Sequence, residues 1–241
     1  HHEERNALLN LLEYKFKVIG ISETRITDTT LEIMDLEISE YFYIDTKSLT
    51  STGGTRLYIL NSLKNEVKIR HDLCIQVQNG VETTFVEISQ KNRKSMICGC
   101  IYKHPSYSRE AFVEECILKI LPQITREEKL SLIMGDFNIN LLSADTSLGP
   151  SDFVDVAAFH NMQPLILQPS RVTLRSQTLI DNIFTNNTRY KTVSGNLTCS
   201  ISDHFAQFTV FTDYSLKMKR NIYRPVYGSS YKHFNENEFV E

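Results

Sequence analysis

The sequence predicts an α+β fold of mixed, antiparallel-rich sheets covered by helices. Two observations carry this. Strand-like and helix-like stretches interleave along the chain, yet several strand-like runs are close neighbours, as hairpins require. And the chain has no G-x-G-x-x-G, no G-x-x-x-x-G-K and no H-E-x-x-H, which argues against a dinucleotide-binding βαβ unit, a P-loop or a zincin helix.

The elements follow in order. Leu8, Leu9, Leu11 and Leu12 recur near helical spacing, so the first residues predict an amphipathic helix. Phe16 to Ser22 is a short apolar strand with Glu23 just past its end. YFYID, TRLYIL, EVKIR, TTFVEIS and SMICGCIY are further strands, punctuated by Gly53-Gly54 and by the turn signal Asn79-Gly80. A helix is expected from Ser108, ending before Pro122. KLSLIMGDFN is an apolar strand that runs into Gly135-Asp136. Ser151 to His160 predicts a helix with Ser151 as its N-cap and Phe153, Val154, Val156 and Ala157 facing inward. TLIDNIFTN, the stretch from Val193 to Ser200, and FAQFTVF complete the strands. From Asp213 the chain is polar with little periodicity and is expected to be a linker or arm, so the expected division is 1–212 and 213–241.

Composition narrows the class. The chain has 241 residues, 41% of them apolar, enough for a sizeable core and unlike a disordered chain or a disulfide-stapled miniprotein. No stretch approaches ~18 consecutive apolar residues, so no membrane partner is expected, and no basic-then-apolar leader is visible. The net charge of −3 is not that of a dedicated backbone binder, but an enzyme needs only a local positive rim around an acidic site. The five cysteines are irregularly spaced, which fits a reducing compartment. His71, Cys74, Cys98 and Cys100 are poor candidates for a zinc site, because Cys98 and Cys100 lie in an apolar run where cysteine acts as a small core residue.

Four places share one feature: an apolar strand whose end carries a cluster of polar residues. They are Ile21-Ser22-Glu23-Thr24, Met134 to Asn138, Leu179 to Asn182, and Ile201 to His204. One such carboxylate reads as a cap or a turn residue. Four on one chain, the last with a histidine beside it, point to a convergent site. Converging carboxylates repel one another unless a cation sits among them, and hard oxygen ligands favour Mg2+, with Mn2+ as the substitute. The chemistry this permits is metal-assisted hydrolysis of a phosphate ester. Glu23 is then a metal ligand, Asp136 positions the attacking water, and Asn138 donates to a phosphate oxygen. Asp181 holds His204 protonated as a phosphate donor, and Tyr102 donates through its hydroxyl.

The order S-E-T, Tyr-x-x-Pro, G-D-F-N, I-D-x-I-F and S-D-H resembles the endonuclease/exonuclease/phosphatase superfamily, whose members share the DNase I-like fold. ISETRI, CIYKHPS, LIMGDFNINLL, QPSRVTLRSQTLIDNIFTN and SISDHFAQF are similar to the apurinic-type endonuclease domain of non-LTR (LINE-like) retrotransposons, over about residues 7 to 212. The resemblance implies a four-layer sandwich of two packed mixed sheets flanked by helices, with the site at one edge. It implies nicking of double-stranded DNA in the nucleus, and a freed 3′-hydroxyl that primes a reverse transcriptase domain in the same polypeptide. By matching motif it assigns Glu23 and Asp203 to the metal, and Tyr102, Asp136, Asn138, Asp181 and His204 to catalysis. Arg171, Thr173 and Thr178, with Lys103 and His104 beside Tyr102, are expected at DNA.

Two departures from the family pattern follow. Members open with a strand ending in a metal-holding Asn. This sequence begins within the next helix, so the first sheet is expected to lack a strand. Many members have His after I-D, where this chain has Asn182, expected to make a polar contact to DNA in its place. The same fold also serves abasic-site nucleases, deadenylases, inositol-phosphate phosphatases and non-catalytic DNA-binding domains, so substrate rests on the loops.

Overall fold

A computed structural model describes residues 2–12, 14–27, 37–143, 148–198 and 202–214. Alternating apolar residues build two sheets that pack face to face. The smaller contains β1 (Val18–Ser22), β2 (Tyr41–Thr46) and β3 (Thr55–Leu60), in the antiparallel order β1-β3-β2. β1 lies at its edge among the described residues. The larger contains β4 (Val67–Ile69), β5 (Gln76–Val77), β6 (Val81–Ile88), β7 (Met96–Lys103), β8 (Leu130–Asp136), β9 (Gln163–Pro164) and β12 (Asp181–Thr185). Its order is β4-β6-β7-β8-β12-β9, with β5 also on β6, and only the β7–β8 pair is parallel. Two hairpins complete the strands: β10 (Arg171–Val172) with β11 (Gln177–Thr178), and β13 (Thr192–Leu197) with β14 (Ala206–Phe211).

The period of two along each strand sorts the core into two layers. Val86, Cys98, Cys100, Leu132 and Ile183 face the smaller sheet and meet Leu57 and Ile59 of β3. Phe85, Ile97, Ile101, Ile133 and Phe184 face the other way, into a helical layer. That layer contains α2 (Arg109–Phe112), a π-helical turn (Val113–Ile117), α3 (Leu118–Glu127) and α4 (Leu148–Phe159). Phe112, Phe137, Phe153 and Phe184 stack there with ring centroids 5.2–6.4 Å apart. α1 (His2–Leu11) precedes β1, as the leucine spacing predicts. No helix among the described residues is long and apolar enough to cross a membrane.

Two helix boundaries differ from expectation. The helix capped by Ser108, whose Oγ accepts from Ala111 N–H at 3.1 Å, does not stop before Pro122 but continues to Glu127. A proline inside a helix costs about 3 kcal/mol. Burial of Ile120, Leu121 and Ile124 on either side offsets that cost, and the π turn just upstream already departs from regular α geometry. Ser151 is not an N-cap, because α4 begins at Leu148. Pro150 is tolerated there, since first-turn N–H groups have no helical acceptor in any case. Phe153 and Ala157 are buried, and Val154 and Val156 pack against the same core.

Asp213 and Tyr214 still touch the body: Lys191 N–H donates to Asp213 Oδ1 at 2.8 Å, and Tyr214 packs on Tyr190 at 4.5 Å. The rest of the expected arm, like Cys199 to Ile201, lies outside the described residues. Cys98, Cys100 and Cys116 are buried free thiols, consistent with the reading of cysteine as core.

Gly135 sets how closely β7 and β8 approach. It has φ +148°, and a Cβ there would run into the backbone carbonyl of Ile101, its partner in the parallel register. Gly135→Ala should therefore cost more than about 4 kcal/mol, the range reserved for overpacking and backbone strain combined. A thermal melt by circular dichroism checks it, and a midpoint within a few degrees of wild type would show that the strand ends can part.

Candidate active site

Register brings the polar strand ends together. Tyr102 pairs with Asp136 across β7 and β8, and Asp136 pairs with Asp181 across β8 and β12. Residues in register point to the same face. Tyr102, Asp136 and Asp181 therefore continue the row of Cys98, Cys100, Leu132 and Ile183 that faces the smaller sheet. The core stripe turns polar where the sandwich ends. Glu23 arrives from the opposite sheet, one residue past β1, close enough that its charge raises the pKa of both Asp136 and Tyr102.

Asp136, Asp181 and His204 each present a ligand atom within 4.8 Å of the others. His204 Nδ1–H donates to Asp181 Oδ2 at 2.9 Å. That bond raises the His204 pKa above the usual imidazole value, against an opposing effect of burial. No described residue bonds Nε2. Burial, then the Asp181 charge, push Asp136 well above the usual carboxylate range, while Asn138 N–H donates to its Oδ1 at 2.9 Å. Asn138 sits at φ +47°, the left-handed region Asn tolerates, and its Nδ2 donates to Lys103 O at 2.8 Å. Burial and the surrounding acids push the Tyr102 phenol up, so it keeps its proton. Glu23 Oε1 accepts from the Arg25 guanidinium at 2.8 Å.

The other expected residues are placed less uniformly. Asp203 does not join the Asp136–Asp181–His204 group; it pairs with Arg171 at 2.6 Å, which holds its carboxyl below the usual range. Arg171 also bridges backbone to backbone with His204, so the β10–β11 hairpin stands beside the site. At its tip Thr173 Oγ1 accepts from Ser176 N–H at 3.1 Å, and Leu174 is fully exposed. Thr178 is half-buried, and its carbonyl accepts from Ser170 N–H at 2.9 Å. Two expected DNA contacts are corrected. Asn182 has no exposed surface: its Nδ2 donates to Ile166 O at 2.9 Å and its Oδ1 accepts from Ile166 N–H at 3.2 Å, a tie between strand and loop. Lys103 alternates with Tyr102 and so leaves the opposite face of β7, its Nζ donating to His104 O at 3.2 Å, away from the side on which Tyr102 and Asp136 stand.

Two residues in the site escaped the sequence reading. Ser170, fully buried, donates through Oγ to Asp181 Oδ2 at 2.8 Å and accepts from Ile180 and Asp181 N–H at 3.0 Å each. Its carbonyl accepts from Phe205 N–H at 2.7 Å, which ties the residue after His204 to the same point. A hydroxyl in P-S-R was the available signal. Glu82, 3% exposed, lies opposite Tyr102 across β6 and β7, and burial pushes its carboxyl up to about 7. An acid at the head of a strand, just past the Asn79-Gly80 turn, was its signal.

Solved structures share this architecture. The endonuclease domain of TRAS1, a telomere-specific non-LTR retrotransposon, matches with a TM-score of 0.59 at 12% identity, over 86% of this chain and 90% of that one. A mannosyl-6-phosphatase of Bacteroides thetaiotaomicron matches with a TM-score of 0.59 at 16% identity, over 87% and 91%. Truncated Caenorhabditis elegans TDP2 matches with a TM-score of 0.57 at 13% identity, over 87% and 90%. No family model matches the sequence. No curated protein matches it either.

Removing the Ser170 hydroxyl strips a partner from two buried amides and a carboxylate, so Ser170→Ala should destabilise by about 1–3 kcal/mol in urea denaturation. Asp181→Asn should lower the His204 pKa, read by imidazole chemical shifts against pH. The sign follows from the pair: a raised folded pKa gives stability that is full below about 6.5 and lost as pH rises through the folded value. A His204 titration unmoved by the substitution would mean the bond does not form in solution.

Proposed function

We propose that this chain, which has the endonuclease/exonuclease/phosphatase fold, is a divalent-metal-dependent endonuclease that nicks double-stranded DNA and leaves a 3′-hydroxyl. The observation that carries the reading is the Asp136–Asp181–His204 group at the end of the sheet sandwich, with His204 hydrogen-bonded to Asp181.

The donor set suits a hard cation. Asp136 is nearly buried and faces a second carboxylate, with the Glu23 charge also acting on it, and only a cation or a proton relieves that repulsion. Glu23, Asp136 and Asp181 offer carboxylate oxygens of the kind magnesium or manganese takes. When bound, the ion supplies Lewis-acid stabilisation of charge on the phosphoryl oxygens. The chain's own residues do the rest. Asp136 orients the water that forms the new P–O bond and accepts its proton as the P–O3′ bond breaks, and the departing O3′ takes up a proton from solvent to become the 3′-hydroxyl. His204, held protonated by Asp181, donates to a non-bridging oxygen. Tyr102 donates its phenolic proton in a hydrogen bond to the phosphate, and Asn138 adds an amide donor without adding repelling charge.

The DNA contact belongs in this reading to the β10–β11 hairpin, which presents Arg171, Thr173 and Arg175 beside His204. Phosphate contact by these arginines would make binding weaken with salt. In this reading the nick primes reverse transcription by a polymerase domain of the same polypeptide in the nucleus; the fold shared with the endonuclease domain of TRAS1 supports its nuclease part. A TDP2 structure holding a single-stranded DNA product supports a nucleic-acid substrate for this fold.

The test is relaxation of supercoiled plasmid by the chain, with magnesium and with chelator. Open circles are expected with magnesium alone, carrying 3′-hydroxyl ends that a polymerase extends. Asp136→Ala and His204→Ala should each lower the rate by at least about a hundredfold, the scale of a lost proton-transfer group. Wild-type rates in both variants would refute the site. Hydrolysis of a sugar phosphate without nicking would assign the chain to the phosphatases instead.

A further inference from the structure

Glu82 has no part in the chemistry just described, yet it is a carboxyl buried at the mouth of the site. Its surroundings are specific. A Cβ added at Gly53 would stand 2.8 Å from Glu82 Oε1, and the Gly54 backbone amide acts on the Glu82 carboxyl, partly opposing the upward push of burial. Both glycines have positive φ, +103° and +84°, so the loop before β3 turns through conformations that other residues rarely adopt, and it does so directly against Glu82.

The same two glycines hold the segment after β1. Arg25 N–H donates to Gly53 O at 2.8 Å, and Thr24 N–H donates to Gly54 O at 3.2 Å. Glu23 and Arg25 themselves sit at φ +54° and +57°. Non-glycine residues adopt that region at a cost of order 1 kcal/mol each and persist there only when their surroundings fix them. A continuous chain of contacts therefore runs from Glu82 to the Gly53-Gly54 turn, and from that turn to the strained backbone that carries Glu23. The side chain of Glu82 also lies in register with Tyr102, so the anchor is built on the same strand pair as the site.

We propose that Glu82 is a positioning residue for Glu23: it fixes the Gly53-Gly54 turn, and the turn fixes the backbone from which the Glu23 carboxylate reaches the metal. This rests on Glu23 being a metal ligand, as in the functional reading above. Outer-shell groups of this kind change metal affinity by about tenfold or more when removed.

The experiment measures manganese binding by the full chain through loss of the free-ion EPR signal, with no nucleic acid present. Glu82→Ala should weaken the dissociation constant about tenfold. Glu82→Gln keeps an acceptor for the Gly54 backbone amide and should stay within about threefold of wild type. In a Glu23→Gln background, Glu82→Ala should add no further loss, because its effect passes through Glu23. If Glu82→Ala does not fold by circular dichroism, Glu82→Asp replaces it with the same expectation, since the carboxylate is withdrawn by one methylene. Unchanged affinity in a folded variant, or losses that multiply in the double variant, overturns the inference and leaves the functional reading standing. A wild-type chain that binds no manganese overturns both.

Discussion

Two carboxylates, Asp136 and Asp181, face each other from adjacent strands, and most of the local structure answers that repulsion. Their register is not adjustable: β8 and β12 pair antiparallel over five residues, with Asp136 opposite Asp181 as one end of the ladder. Slipping the pair by one residue would turn Ile183 and Leu132 out of the core. The charges must therefore be accommodated where they stand. Asp181 receives the Ser170 hydroxyl and the His204 imidazole, so its negative charge is shared outward, away from the strand. Asp136 is given only a backbone amide and is left buried, the group most in need of a counter-ion. The two aspartates are chemically identical in sequence and different in role because of what surrounds them.

The same logic explains why the space between the sheets changes character along its length. Its middle is filled by aliphatic residues and cysteines. Toward the site it becomes a run of hydroxyls: Thr55 with Thr84 at 2.8 Å and Thr84 with Thr46 at 2.9 Å. Buried polar groups of this density are stable only when each has a partner. Here they brace one sheet against the other where an apolar contact would slide, and so fix the distance between the sheet that carries Glu23 and the sheet that carries Asp136.

Much of this was legible in the sequence, for a local reason. A strand's apolar run and the polar cluster at its end are contiguous, so Glu23, Tyr102, Asp136, Asp181 and His204 announce themselves one segment at a time. What failed to show was decided by pairing between distant segments. Asn182 looks like its functional neighbour Asp181, but alternation turns it to the opposite face, into Ile166. Lys103 follows Tyr102 and is turned away for the same reason. Ser170 and Glu82 meet residues ten or more positions away, through contacts that exist only once β12 and β7 are in place. The run through Pro122 is another nonlocal outcome, since local propensity stops a helix there and burial continues it.

The dispersal of the site along the chain carries a consequence for its assembly. Positions 23, 102, 136, 181 and 204 lie on five separate segments, and none meets another without closing a long loop. Topologies of this kind fold slowly, because the entropy of loop closure is lost before the contacts that reward it are made. His204 is the last of the five to be synthesised. A growing chain, a fragment cut within any of the intervening loops, or a partly folded intermediate has separate strand ends and no cluster. Whatever chemistry the finished fold performs, the unfinished chain lacks the cluster, and a substrate meets the complete site only after the whole sandwich has closed.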